Sequence, residues 1–514
     1  MSASTEKKQR QAAREAGTDK KLLAAQEEAK KKLRSRRITT AVSVCVALLI
    51  VLIILLSTSF FYRHTTALTV GDRHFSPAEV NYYYAQDYYN WVNSYGSYAS
   101  MFGLNANSGP FALKKVPCPM LDGGSWRDYF LQSAYGAMTQ VKALTDYAAA
   151  NGLSLTDEQA GELEEQLSYS SLLASAYGFS SLNNYLEANY GAGVNSKVLR
   201  QVMLDNALAQ NAYEHFTDSL QYTDEELETY YASLEGSYDR FDYAYYHVAA
   251  ETVADEGEET AAVTEETMLE ARMTAEAIHA SYQDDKDTAD PVERLNAAIE
   301  AEFSGVSATV RSRVNGSSLG ELSEWLMAEH TVGDIGVVED ASASGYNVVV
   351  FLGRDDNHYP TVSVRHILVN AEQAEDGSWS DEALEAARTE AERILAEWQA
   401  GEATEESFAE LAGQYSDDPG SSSNGGLYEN IYKGMMVSEF DAFCFGGHKS
   451  GDTAVVYGSN GGYAGYHVIY FVGEGELYSN ELARNDLQNE AVSDWLTEIT
   501  PAYKTGPAAW LAGK

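Results

Sequence analysis

The sequence predicts an α+β chain: an N-terminal transmembrane helix, a tyrosine-rich helical domain, and two tandem copies of a small antiparallel sheet with helices, the first copy degenerate. Three observations predict it. Ile38 to Tyr62 is a run of 25 residues without a charge. From Thr65 to Gly236 apolar residues recur at spacings of three and four, the mark of amphipathic helices. From residue 238 to 474 the chain matches itself at an offset of 116 to 121 residues, which is a domain-sized repeat.

The 514 residues carry 35 Lys+Arg against 77 Asp+Glu, a formal charge of −42, and 45% of them are hydrophobic. That composition excludes wholesale disorder, and the acidic balance argues against nucleic acid as a partner. The charge is split along the chain. Residues 1–37 form a basic tail with 12 Lys+Arg and 5 Asp+Glu, ending in Lys30, Lys31, Lys32, Arg34, Arg36 and Arg37, whereas residues 63–514 hold 23 against 72, net −49. The uncharged run between them, 38–62, would span roughly 37 Å as a helix, enough to cross a hydrocarbon layer of about 30 Å. Basic flanks stay inside. The expectation is a single-pass protein of the cell membrane, with a cytoplasmic N-terminus and the bulk of the chain extracytoplasmic. A cleaved signal peptide is the rival, although its apolar region is usually about 7–15 residues and ends in small residues, whereas this run ends in Ser59-Phe60-Phe61-Tyr62-Arg63.

Residues 65–236 read as the helical domain. Leu68–Arg73 suggests a short strand entering a turn, and Ser76-Pro77-Ala78-Glu79 a capping box. Helices are expected over Trp126–Asn151, Thr156–Tyr177, Ser180–Tyr190, Ser196–Ser219 and Thr223–Leu234. The stretch from Asn81 to Phe102 holds seven Tyr, one Trp and one Phe. These rings could pack helix on helix or present an apolar face with polar tips to unfolded polypeptide. A last helix from Asn480 to Thr500 is expected to pack back on this domain, so that 475–514 completes it.

The two copies span 238–354 and 361–474. Ala271–Gln283 aligns with Ala387–Gln399 at seven identical positions of thirteen, Gly345–Gly353 aligns with Gly465–Gly473, and Phe241–Val248 with Val362–Val369. Each copy reads strand, helices, then two strands. The acidic stretch from Ala250 to Thr267 has no apolar period and reads as a solvated loop.

In the second copy His366 and His467 sit in strands of alternating apolar residues, Val362-Val364-His366-Leu368 and His467-Ile469-Phe471. Between them come Phe408-Ala-Glu-Leu-Ala-Gly-Gln-Tyr-Ser-Asp-Asp-Pro-Gly420, a Gly/Ser/Asn-rich loop, and Lys433-Gly-Met-Met-Val-Ser-Glu-Phe-Asp-Ala-Phe-Cys-Phe445. In order and spacing this set resembles the parvulin (PpiC-type) peptidyl-prolyl isomerase domain. The order of anchor, helical domain, such units and returning helix is similar to bacterial extracytoplasmic foldases of the PrsA/SurA type.

The resemblance implies that His366 and His467 are the paired central histidines, that Asp418 stands at the position that is Asp or Cys in parvulins, and that Met436, Phe440 and Phe445 wall the proline pocket. No metal or cofactor is implied. The sequence departs from the pattern twice. The turn Gly425-Gly426-Leu427-Tyr428-Glu429 lacks an Asp, and Gly462 and Ala464 replace the hydroxyl residues that usually precede the last His. In the first copy Tyr245 aligns with His366 and Asn347 with His467, and no counterpart of Met436–Phe440 is evident, so that copy is expected to keep the fold without the chemistry. All three cysteines, Cys45, Cys118 and Cys444, are expected to be free. The implied function is that of an isomerase and chaperone for unfolded or newly secreted polypeptides with X-Pro bonds. The alternative is a membrane-anchored holdase that binds chains without useful catalysis.

Overall fold

The computed structural model describes residues 3–18, 20–253 and 262–514, in two compact units: Met1–Leu220 with Glu490–Lys514, and Gln221–Asn489. One helix among the described residues, Leu23–Leu55, is long and apolar enough to cross a membrane, and none of its most apolar window is buried by the protein. It belongs to a longer helix, Lys20–Ser57, which takes in the basic cluster. That helix stops five residues before the uncharged run does. Ser59 takes a left-handed φ of 52° and opens a separate short helix, Phe60–His64.

In the first unit the expected hairpin is present as Leu68–Val70 paired with Arg73–Phe75, and Tyr503–Thr505 adds a third strand against Leu68–Val70. The next helix, Pro77–Tyr95, opens with the expected capping box: the Glu79 amide donates to the Ser76 hydroxyl and the Ser76 amide donates to the Glu79 carboxylate. The helices Trp126–Ala150, Asp157–Ala176, Leu182–Tyr190 and Ser196–Ser219 follow within two residues of their sequence-based bounds.

Some of the tyrosines are core residues and others are exposed. Tyr84 and Tyr88 are core residues whose hydroxyls donate to the Pro110 and Ala106 carbonyls, whereas Tyr98, Tyr169 and Tyr177 are exposed. Trp495, near the end of the helix Tyr478–Ile499, stacks on Phe216 at 4.0 Å beside Leu144 and Ala212; only the part of this helix from Glu490 onward belongs to the first unit. The helix Asp224–Ser233 differs from expectation. Its Leu227 and Tyr231 pack with Ala483 in the second unit.

The second unit contains two four-stranded antiparallel sheets. In one, Thr309–Asn315, Arg240–Ala249, Gly345–Asp355 and Ile335–Asp340 lie side by side in that order. In the other, the order is Leu427–Ile431, Pro360–Asn370, Tyr463–Leu477 and Thr453–Asn460. Numbered within each sheet, the two orders are the same. The registers also agree with the sequence alignment: Tyr245 pairs with Val349 in the first sheet, and His366 with Ile469 in the second.

Two expectations for the first sheet's segment are corrected. The acidic stretch is not loop throughout, because Thr252–Val253 pairs with Ala262–Val263 and a helix begins at Glu265; its residues 254–261 lie outside the described ones. A counterpart of Met436–Phe440 does exist in space: Leu319, Leu322, Trp325 and Leu326 cover the Tyr243 face of the sheet. It was hidden in the sequence because those residues share the burial pattern and not the side chains.

Candidate active site

The strand Pro360–Asn370 is buried on both faces. Ile367 and Val369 pack under the helices Asp381–Ala400 and Glu405–Tyr415, while Val362 and Val364 meet Phe440, Phe443 and Cys444 of the short helix Ser438–Cys444. His366 lies on the second face, paired with Ile469, and His467 stands two residues from Ile469 on the neighbouring strand. The two histidines are therefore diagonal neighbours on one face of the sheet. They are 4% and 5% exposed, and His366 Nδ1 lies 3.2 Å from His467 Nδ1.

The turn after the helix Glu405–Tyr415 delivers Asp418. It is sewn to the histidine strand by the Asp417 amide donating to the Leu368 carbonyl, the Leu368 amide donating to the Ser416 hydroxyl, and the Asn370 amide donating to Asp417. Asp418 Oδ2 then lies 3.0 Å from His366 Nε2 and accepts from the Ser421 hydroxyl at 2.5 Å and the Tyr428 hydroxyl at 3.1 Å, while Oδ1 accepts from the Gly420 amide. The following loop closes through Gly426, whose φ is +73° and whose missing Cβ would stand 2.2 Å from the His366 carbonyl oxygen. Only glycine fits there.

The electrostatics fix the protons. Burial raises the Asp418 carboxyl, but hydrogen bonds from Ser421, the Gly420 amide and His366 together outweigh it and hold the group down at about 2. Burial lowers His366, against the opposing pull of Asp418. Burial, and then the neighbouring His366, hold His467 at about 3. At neutral pH the site thus pairs an ionised carboxylate with two neutral imidazoles.

An ionised carboxylate only accepts, so His366 carries its proton on Nε2 and accepts on Nδ1. His467 then donates from Nδ1, which leaves its Nε2 to accept from the Tyr463 hydroxyl at 3.0 Å. The chain runs one way, Tyr463 to His467 to His366 to Asp418.

Beside this chain opens a cavity of about 230 Å³, lined by Leu368, Met435, Met436, Val437, Phe440 and Tyr463 together with both histidines and Asp418. The Phe440 ring stands edge-on to both imidazoles, at 5.5 and 5.2 Å. Five of the six residues expected from sequence come together here. Phe445 does not: its ring meets Tyr359 edge-on at 5.4 Å, away from the cavity. It follows the C-terminus of the short helix, one turn beyond Phe440, and turns toward the start of the strand instead of toward the histidines.

Residues 346–473 match the family model of the PPIC-type PPIase domain. The chain carries a parvulin-type domain. Foldase protein PrsA 4 of Bacillus cereus is 30% identical over 135 residues, 26% of this chain and 40% of that protein, so the chain spans less than half the length of this curated relative. Among solved structures, PrsA of Bacillus subtilis is 14% identical over 74% of this chain and 89% of its own, with a TM-score of 0.29. PrsA of Bacillus anthracis is 16% identical over 45% and 85%, with a TM-score of 0.20.

In this parvulin domain the two departures from the family pattern have local answers. Tyr463 lies between the replaced positions Gly462 and Ala464 and supplies the hydroxyl from four residues before His467. The strand period of two places residues 463, 465 and 467 on one face, a signal the sequence held. Gly458 and Gly465 pair across the strands there, and a Cβ on Gly458 would stand 2.5 Å from His467 Nε2. Tyr428, in the altered turn, reaches Asp418. Ser421, fully buried, is the third hydroxyl that motif reading missed. Among the described residues no group of three or more His, Cys, Asp or Glu is arranged to hold a metal. Cys444 is free and buried, and burial pushes its thiol up to about 12.

Proposed function

We propose that the chain is a peptidyl-prolyl isomerase and chaperone that serves polypeptides outside the cytoplasm, anchored by the apolar helix near its N-terminus. The observation that carries this reading is the one-way hydrogen-bond chain Tyr463–His467–His366–Asp418 on one wall of a cavity whose other wall is the apolar set Met435, Met436, Val437 and Phe440.

Rotation about an X–Pro bond faces a barrier of about 18–20 kcal/mol because the planar amide is resonance-stabilised. A catalyst must bind the twisted amide better than either planar form. Met436 and Phe440 offer a seat for the pyrrolidine ring and exclude water from it. The planar amide carries a partial negative charge on oxygen that twisting removes. The ionised Asp418 and an apolar wall both disfavour that charge separation. The neutral imidazoles hold the carboxylate in place and present no cation to stabilise the planar form. No covalent intermediate is required.

In this reading residues 361–474 are the catalytic unit, and 238–354 a copy without the chemistry. Tyr245 and Asn347 stand in the places of His366 and His467, and the Asn347 side chain is engaged by His247 and Asp340. The helical domain would hold clients. Its exposed Tyr169 borders a depression of about 500 Å³ with Tyr82, Tyr185 and Tyr190, and this feature also favours the second reading, a holdase that binds without catalysing. Refolding of a proline-limited secreted protein separates the two. The isomerase reading expects faster refolding that is lost in His366→Ala while suppression of aggregation persists. An unaltered refolding rate with suppression alone would leave only the holdase.

A further inference from the structure

At the outer end of the apolar helix, Leu52 and Leu55 form one wall of a groove of about 420 Å³; Phe61 and Tyr62 continue it, and Pro507, Trp510 and Leu511 form the other wall. Among the described residues its walls carry no carboxylate, although residues 63–514 hold 72 Asp+Glu. Glu187, which touches Ser59 at its edge, is occupied by the Ser59 hydroxyl and the Gly193 amide.

The second wall is firmly held. Tyr503–Thr505 pairs with Leu68–Val70, the Gly506 and Ala508 amides donate to the Ala67 and Thr66 carbonyls, and Arg127 donates to the Ala512 and Gly513 carbonyls. Leu511 and Ala512 are buried, yet Trp510 between Ala509 and Leu511 is 63% exposed, the only exposed tryptophan of the seven. The Lys514 ammonium lies over its ring at 4.5 Å. Lys514 and Lys114 are exposed and near enough to repel one another, whereas Arg127 is engaged by the Ala512 and Gly513 carbonyls and lies 3.4 Å from Asp128.

We propose that this groove holds an acyl chain of an anionic phospholipid of the outer leaflet, with Trp510 at the membrane–water boundary and the exposed Lys514 and Lys114 toward the headgroup. Two arguments select a lipid over a second copy or a client segment. The groove is continuous with the apolar helix, two of whose residues wall it, so its mouth opens where that helix leaves the hydrocarbon. Its aromatic and cationic rim is also the combination that settles at bilayer interfaces, and it is complementary in charge to an anionic headgroup. Trp510 is thus a second membrane contact that holds the helical unit against the leaflet.

The inference rests on the anchor reading, and the test separates them. The full chain is reconstituted in phosphatidylglycerol/phosphatidylethanolamine vesicles, and its retention on flotation at alkaline pH is measured first. The tryptophan emission is then compared between vesicles with plain and with brominated acyl chains, for the wild type and Trp510→Phe. The expected result is flotation, bromine quenching of the wild type, loss of most of that quenching in Trp510→Phe, and weaker quenching when phosphatidylglycerol is omitted. Flotation with equal quenching in both proteins overturns the lipid contact and leaves the anchor standing. Failure to float overturns both. Emission that responds to protein dilution and not to brominated lipid overturns it in favour of a second copy.

Discussion

His366 Nδ1 and His467 Nδ1 stand 3.2 Å apart on adjacent strands, and only one arrangement of protons satisfies both rings. Asp418 takes the Nε2 proton of His366, so His467 must donate between the rings and accept from Tyr463. The pair works as a neutral relay of orientation, and its first consequences are in pH.

With His467 held at about 3 and Asp418 at about 2, catalysis should show no inflection near 6.5, the ordinary histidine value. A profile of kcat/KM between pH 5 and 8 checks this, with a histidine-like step in that range as the opposing result.

Stability should respond where activity does not. The folded pKa of His467 lies below its unfolded value of about 6.5, so the unfolded chain takes the proton first and stability falls as pH drops from 6.5 toward 3. From pH 7 to 5 His467 alone should cost about 2 kcal/mol. Asp418 acts lower: its stabilisation is present above 3.8 and lost as pH falls toward 2. Urea midpoints of the second unit's transition at pH 7 and 5 measure the first effect.

Tyr463→Phe removes one hydroxyl and leaves the ring. A lost neutral hydrogen bond is typically worth about 0.5–1.5 kcal/mol, so kcat/KM should fall roughly 2- to 12-fold with little change in melting temperature. Gly458→Ala should reduce it further, because the new methyl would displace the His467 ring.

Phe440→Ala and Phe445→Ala should diverge. Phe440 is 2% exposed and lines the cavity, so its truncation should cost about 3–5 kcal/mol of stability and much of the activity. Phe445 contacts Tyr359, and its truncation should leave KM near the wild-type value.

The parts of the fold that were legible in sequence are those set by periodicity and capping. The helix bounds, the Ser76 cap and the strand faces of His366 and His467 follow from spacing alone. The self-match of the sequence aligns Tyr245 with His366, and these residues hold matching places in two sheets of the same strand order. What could not be read depends on chain reversal. Ser421 and Tyr428 reach Asp418 only because the loop turns back through Gly426, and Phe445 misses the cavity by one helical turn. The helix end at Ser57 was hidden because uncharged residues continue past a left-handed Ser59.

The most direct measurement is cis–trans exchange of an Xaa-Pro tetrapeptide by the full chain, followed by NMR, for the wild type, His366→Ala and Asp418→Asn. Catalysis by the wild type is expected. Both variants break a charge-assisted hydrogen bond worth about 1.5–3 kcal/mol, so they should lose roughly 10- to 100-fold in rate while circular dichroism stays unchanged. A wild type that leaves the exchange at its uncatalysed rate, or folded variants that match it, would contradict the account.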